Sequence, residues 1–137
     1  MVSDKSQVRS TGPVTSVTRQ PVKGRKKHGG IRLGEMERDA LLSHGVAFCL
    51  QDRLMHCSDS HLAYVCGKCG GLLSVYQLSK SNFDAGQNVI TNVQNLHTCN
   101  LCATTDFVRP IMLPYVFRYL VNELAGMGIR VSISLSD

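Results

Sequence analysis

Two short cysteine pairs carry the most specific chemistry in this sequence. Cys66-Gly-Lys-Cys69 is followed, after 29 intervening residues, by Cys99-Asn-Leu-Cys102. One Cys-x-x-Cys turn presents two thiolates to a single ion. Two such turns supply the four sulfur ligands of a tetrahedral structural Zn²⁺. A site closed by four thiolates leaves no open position for a substrate, so the ion is expected to hold shape and not to catalyse. Two disulfides would suit a secreted chain, but the opening Met1-Val-Ser-Asp-Lys-Ser-Gln7 lacks the apolar stretch of a signal peptide. A redox Cys-x-x-Cys stands alone beside a βαβ pattern, and no such pattern is found here. Cys49 lies in an apolar helical stretch and is expected to be a small buried hydrophobe. Cys57 follows His56 but does not share the spacing of the pairs. Of the histidines, only His61 and His97 lie near the pairs, and both are expected beside the ligands or at the surface.

The elements around the pairs read as follows. Residues 62–65 form a short strand leading into the first pair, and Gly70-Gly71 lets the backbone turn sharply after it. Residues 72–78 read as a second strand, 79–96 as a polar loop, and 107–113 as a strand leaving the second pair. Hairpins meeting at two cysteine turns describe a zinc ribbon. Upstream, residues 35–55 read as one helix. Glu35, Glu37 and Asp39 lie at its start, where the helix dipole favours acids. Leu41, Phe48 and Met55, with Ala40, Ala47 and Leu54 beside them, make an apolar face. Gly45 inside this helix marks a bend or a close contact. Asp59, between Ser58 and Ser60, reads as a turn cap more readily than as a catalytic acid. Pro114 opens a helix to residue 125, with Phe117, Leu120, Val121 and Leu124 as its stripe. Residues 129–135 alternate strictly and read as a half-buried strand. That strand has few partners in this chain, which suggests a piece of something larger.

Length and charge bound the rest. With 137 residues and 43% hydrophobic residues, the chain suits one ordinary globular domain. No apolar run approaches the length of a membrane-spanning helix, so no membrane association is expected. The net charge of +5 is unevenly spread. Residues 1–34 hold eight Lys/Arg against Asp4, a balance of +7, whereas residues 35–137 hold seven basic against nine acidic residues, a balance of −2. The basic arm is rich in Ser, Thr, Gly and Pro and is too poor in apolar residues to fold by burial alone. Basic charge with flexible glycine suits contact with a polyanion. A solvated tail or a localisation patch at Lys23-Gly-Arg-Lys-Lys27 is the plainer alternative. The arm has no Phe, Tyr or Trp, so its contacts would be to phosphates and sugars, not stacked bases.

Several segments resemble a known family. Val2-Ser-Asp-Lys5, Arg9-Ser-Thr-Gly-Pro13, Thr18-Arg-Gln-Pro21 and Gly29-Gly-Ile-Arg-Leu-Gly-Glu-Met-Glu-Arg-Asp39 resemble the C-terminal region of the second-largest subunit of multisubunit RNA polymerases. The cysteine pairs fall where eukaryotic members carry a zinc ribbon, and residues 114–125 resemble the terminal helix. The wording Val-Ser-Asp-Lys and Pro-Tyr-Val-Phe-Arg-Tyr is most similar to RNA polymerase I. The resemblance covers nearly the whole chain except 79–96. It implies a small α+β fold that is an incomplete domain of a larger subunit. It also implies four segments: a basic arm at 1–33 next to the RNA–DNA hybrid, an anchor helix at 34–57 on the largest subunit, a ribbon at 58–113, and a clamp helix and strand at 114–137. Arg9, Arg19, Lys23, Arg25 and Arg32 become candidate contacts to the hybrid or template backbone. Cys66, Cys69, Cys99 and Cys102 become the Zn²⁺ ligands. Catalytic Mg²⁺ in this family is bound mainly by the largest subunit, and the aspartates here form no acidic triplet to replace it. The chain alone is therefore expected to be inactive and to act within the nuclear, nucleolar enzyme. Family members are many times longer, so Met1 reads as an internal methionine. A free-standing zinc-ribbon adaptor and a non-functional truncated duplicate are the rival readings.

Overall fold

The computed structural model describes residues 1–78 and 97–136. The loop expected at 79–96 lies outside these residues. The chain divides into two compact units. The first comprises Met1–His61 with Leu113–Tyr119, and the second comprises Leu62–Met112 with Leu120–Asp137. Among the described residues, no helix is long and apolar enough to cross a membrane.

In the first unit the basic arm follows a defined path. Val14 and Pro21 form an antiparallel bridge, and Lys23 and Gly30 a parallel one. The Thr15 N–H donates to the Gln20 carbonyl at 2.9 Å, and the Gly30 N–H to the Val22 carbonyl at 2.9 Å. Arg25–Lys27 make one 3₁₀ turn between left-handed Gly24 (φ 102°) and His28 (φ 53°). Gly29 is buried, and a Cβ there would run into the Val22 carbonyl. The arm buries little apolar surface, as its composition requires, but backbone hydrogen bonds give it shape.

The single helix expected at 35–55 is broken. α1 spans Glu35–Ser43 and α2 spans Ala47–Gln51, continuing as a π-helical turn over Asp52–His56. The break falls at Gly45, whose φ of +71° is the left-handed conformation that closes a helix. The expected apolar face is not buried: Phe48 is 85% exposed, and Leu54 is also open to solvent. Cys49 is exposed too, which corrects its reading as a buried hydrophobe. With the helix split, the side chains no longer share one core-facing stripe.

α3 spans Tyr115–Gly126 and begins directly after Pro114. Asp59 anchors its start from 57 residues away. The Tyr115 N–H donates to the Asp59 main-chain carbonyl at 2.8 Å, and the Val116 N–H donates to its Oδ2 at 3.0 Å. Asp59 is only 4% exposed. Its carboxylate is thus an N-terminal cap for a distant helix, satisfying amides that have no partner within that helix. Asp59→Ala should lower stability by about 1–2 kcal/mol in thermal or denaturant unfolding, with Asp59→Asn losing less because it keeps an acceptor. Equal loss from both substitutions would remove the capping role.

The second unit holds short strands. β1 (Ser60–Cys66) pairs with β4 (Val108–Pro114), and β2 (Val75–Gln77) pairs antiparallel with β3 (His97–Cys99). The β2–β3 register sets Val75 opposite Cys99 and Gln77 opposite His97. The expected strand at 72–78 is therefore shorter. Among the described residues, the buried apolar side chains of this unit are Ala63, Val65, Cys66, Leu72, Cys99 and Val121. Two of the six are cysteines of the pairs, so the core and the candidate site coincide. Residues 129–136 form no strand ladder. Burial does alternate from Val131 to Ser136 as the pattern predicted, and the Ile133 N–H donates to the Gly70 carbonyl at 2.9 Å. One hydrogen bond of this kind fixes the tail without making a sheet.

Candidate metal centre

The two cysteine pairs converge. One sulfur from each of Cys66, Cys69, Cys99 and Cys102 lies within 4.8 Å of the other three. The Cys69 and Cys99 sulfurs are 3.6 Å apart. Tetrahedral Zn–S bonds of about 2.3 Å place neighbouring sulfurs just under 4 Å apart, so the cluster has the size to surround one ion. Cys66 and Cys99 are buried, while Cys69 and Cys102 are half-buried.

Each pair is folded by the same backbone device. The Cys66 N–H donates to the Gly71 carbonyl at 3.1 Å, and the Gly70 N–H returns to the Cys66 carbonyl at 2.8 Å. In the second pair, the Cys99 N–H donates to the Thr104 carbonyl at 3.0 Å, and the Ala103 N–H returns to the Cys99 carbonyl at 2.8 Å. The residue after each second cysteine is left-handed: Gly70 at φ 67° and Ala103 at φ 51°. This closed loop turns both thiols of a pair toward one point. The glycine after the first pair was legible as a turn former. Ala103 gave no signal, because alanine is not a residue that marks a left-handed position.

Ser74 ties the two pairs together. Its hydroxyl lies 3.4 Å from the Cys99 sulfur and 3.8 Å from the Cys69 sulfur, and the Asn100 N–H donates to its carbonyl at 2.8 Å. It was not singled out from the sequence, where it is one serine among many.

The thiols titrate as a group. For Cys99, burial raises the pKa, but hydrogen bonds from Ser74, the Cys102 backbone and the neighbouring thiols outweigh it and bring the value to about 6. For Cys69, burial is again opposed, by the Gly71 backbone amide, Ser74 and Cys66, and the net direction is down. Cys102 is pushed up to about 12, first by burial and then by the three thiols around it. At about 12, Cys102 keeps a proton at neutral pH that a dication would displace, which is how thiolate metal sites couple ion binding to pH.

The basic candidates are placed differently from one another. The Arg9 guanidinium donates to the carbonyls of Pro13 (2.7 Å) and His28 (3.1 Å), bracing the arm from inside. The Arg19 guanidinium lies over the Tyr115 ring, 5.7 Å from its centroid. Lys23, Arg25 and Arg32 are exposed. Among the described residues, the only ion pairs are Arg38–Asp39 and Arg53–Asp52, so these three cations have no carboxylate partner.

The twin loops make opposite substitutions informative. A Cβ on Gly70 would sit 2.9 Å from the Ser132 Cβ and 3.0 Å from the Ile133 nitrogen, at a left-handed φ. Gly70→Ala should therefore cost well over ~1 kcal/mol, whereas Ala103→Gly should raise stability by about 0.5 kcal/mol by relieving left-handed strain. Thermal unfolding of the metal-loaded chain measures both, and a loss from Ala103→Gly would contradict the strain.

Comparison with known proteins matches two family models in sequence order. The family model "RNA polymerase Rpb2, domain 7" matches residues 29–136, and "RNA polymerase Rpb2, domain 6" matches residues 1–27. The DNA-directed RNA polymerase I subunit RPA2 of Homo sapiens is 49% identical over 136 residues, covering 98% of this chain and 12% of that protein. The DNA-directed RNA polymerase I subunit 2 of Arabidopsis thaliana is 49% identical over 141 residues, covering 100% of this chain and 12% of the relative. The RPA2 homolog of Caenorhabditis elegans is 46% identical across 98% of the chain. The chain thus spans about an eighth of the length of the curated relatives it matches. With both domain models matched in order, and near-half identity sustained from end to end, the chain belongs to the family of the second-largest subunit of DNA-directed RNA polymerases, among the RNA polymerase I members.

Proposed function

We propose that this chain serves as the C-terminal hybrid-contacting, anchor and clamp region of the RNA polymerase I second-largest subunit. In that role it contributes to DNA-templated synthesis of ribosomal RNA. The observation that carries this reading is the unbroken similarity to RPA2 proteins, which includes the arm and both helical segments as well as the cysteine pairs. An independent zinc-ribbon adaptor would need only the cysteine-bearing part, so the similarity of the other segments disfavours it.

Four segments divide the work. Residues 1–33 contact the RNA–DNA hybrid through phosphates, with Lys23, Arg25 and Arg32 best placed because their charges are exposed and unpaired. Arg9 braces the arm, and Arg19 contributes beside Tyr115. Residues 34–57 anchor the region on the largest subunit, and the exposed Met36 and Phe48 supply apolar surface for that contact. Residues 58–113 form the ribbon, with Cys66, Cys69, Cys99 and Cys102 holding a structural Zn²⁺. Residues 114–137 complete the base of the clamp. Nucleotidyl transfer itself belongs to the assembled enzyme in the nucleus and nucleolus, with Mg²⁺ held mainly by another subunit.

The zinc assignment is tested by metal content. Cys66→Ser and Cys102→Ser should each lose the one bound ion per chain and unfold the ribbon, because ion binding here is folding energy. Native mass spectrometry of the gently purified chain reads the ion directly, and a chain that carries no zinc would end the assignment. The assembly reading is tested by expressing the tagged chain in cells and asking whether the largest polymerase subunit co-purifies. Phe48→Asp should reduce that recovery severalfold by putting a charge in an apolar contact. A stable chain that recovers no polymerase subunit would overturn the reading.

A further inference from the structure

Two groups able to carry positive charge meet at one aromatic ring in the first unit, and the charge of a third, Arg118, acts on one of them. The Arg19 guanidinium carbon lies 5.7 Å from the Tyr115 centroid. The His61 imidazole meets the same ring edge to face, with centroids 5.1 Å apart and planes at 76°. Arg118 follows Tyr115 by three residues on α3, a spacing that brings side chains together on one helix face. Tyr115, His61 and Arg118 are half-buried, while Arg19 is exposed. We infer that Arg19, His61 and Arg118, gathered around Tyr115, form a binding site for a phosphate of a nucleic-acid backbone.

Charge balance is the first argument. Among the described residues, neither Arg19 nor Arg118 has a carboxylate partner. Asp59, the acid that caps this end of α3, is buried and engaged by the Tyr115 and Val116 amides. Burial lowers the proton affinity of His61, and the charges of Arg118 and Arg19 lower it further, so both guanidiniums act on the ring. Like charges held this close with no counter-charge leave a place for an anion.

Geometry is the second. A guanidinium lying over an aromatic ring uses its face and leaves its in-plane N–H donors free for a phosphate. Arg19 reaches this position from a left-handed backbone (φ 57°) at the end of the turn that its own N–H closes onto the Thr15 carbonyl. A non-glycine residue held in that region is strained, and strain kept at an exposed arginine marks a place where direction matters. The third argument is continuity. Arg19 belongs to the arm whose balance is +7, and Lys23, Arg25, Lys26 and Lys27 follow on the same segment. A polyanion that reaches the Tyr115 site meets further positive charge along that arm. A lone carboxylate from a protein partner would gain nothing from it.

The inference rests on the nucleic-acid reading of the arm, and the test separates the two. Binding of a short labelled single-stranded DNA to the full zinc-loaded chain is followed by fluorescence anisotropy over a range of KCl. Arg19→Gln and Arg118→Gln should each weaken binding about tenfold and reduce the salt slope by about one. Unchanged melting temperatures show that the variants are folded, and the exposed Arg19 keeps the test valid should Arg118→Gln unfold. If both variants bind as the parent does while Arg25→Ala/Lys26→Ala/Lys27→Ala weakens binding, the Tyr115 site is overturned and the arm reading stands. If the parent binds no DNA even at low salt, both fall. Loss of polyglutamate binding instead of DNA binding in the two arginine variants would overturn the phosphate assignment in favour of an acidic protein surface.

Discussion

Four sulfurs held within 4.8 Å of one another repel once ionised, and the second unit is organised around that repulsion. Two effects oppose it. One is the set of hydrogen bonds already in place: those with the Ser74 hydroxyl between Cys69 and Cys99, and those from the backbone amides of Gly71 and Cys102. The other is the dication that a four-thiolate set selects. Without that charge, Cys99 is brought down to about 6 and Cys102 is pushed up to about 12, so these two thiols are unequal. Among the described residues, the apolar core of the unit comprises six side chains, two of them the clustered cysteines Cys66 and Cys99. So small a core gives little stability by burial, and an ion joining the two pairs is the efficient way to close it.

The same constraint explains why the two pairs look alike in space and unlike in sequence. Each needs its two thiols on one side of a tight loop, and the loop needs a left-handed residue after the second cysteine. Glycine meets that need at position 70 and alanine meets it at position 103. At Gly70 the tail also packs closely, and its Ile133 amide bonds to the Gly70 carbonyl, so a side chain has no room. At Ala103 the strain is tolerated because two backbone hydrogen bonds, Cys99 N–H to the Thr104 carbonyl and Ala103 N–H to the Cys99 carbonyl, hold the loop.

How much of this was legible follows from range. The cysteine pairs, the strand into Cys66, the strand ending at Pro114 and the helix after it all rest on neighbouring residues, and all were readable. Gly45, which the sequence marks as a bend or a close contact, is the left-handed close of α1. What escaped depends on residues far apart in the chain. Asp59 was read as capping its own turn, but it caps a helix 57 residues later. Cys49 and Phe48 fit an apolar helical face, and periodicity says nothing about whether this chain supplies anything to cover that face. The alternation at 129–135 holds from Val131, where Val131, Ile133 and Leu135 are half-buried, but Ile129 is exposed, and among the described residues no strand pairs with this segment.

A net charge treats the eight cations of the arm as equivalent, and their surroundings do not. Arg9 gives its guanidinium to the Pro13 and His28 carbonyls, and with Gly29 it fixes the path of the loop. That path presents Arg25, Lys26 and Lys27 on a single 3₁₀ turn between two left-handed residues. Arg19 is drawn to Tyr115. An arm whose cations were all free would bind a polyanion in many registers. An arm in which one arginine fixes the loop, another rests on a ring and three side chains share one turn presents its charge in a fixed order. That order, more than the total of +7, is what a surface that must follow a nucleic-acid backbone requires.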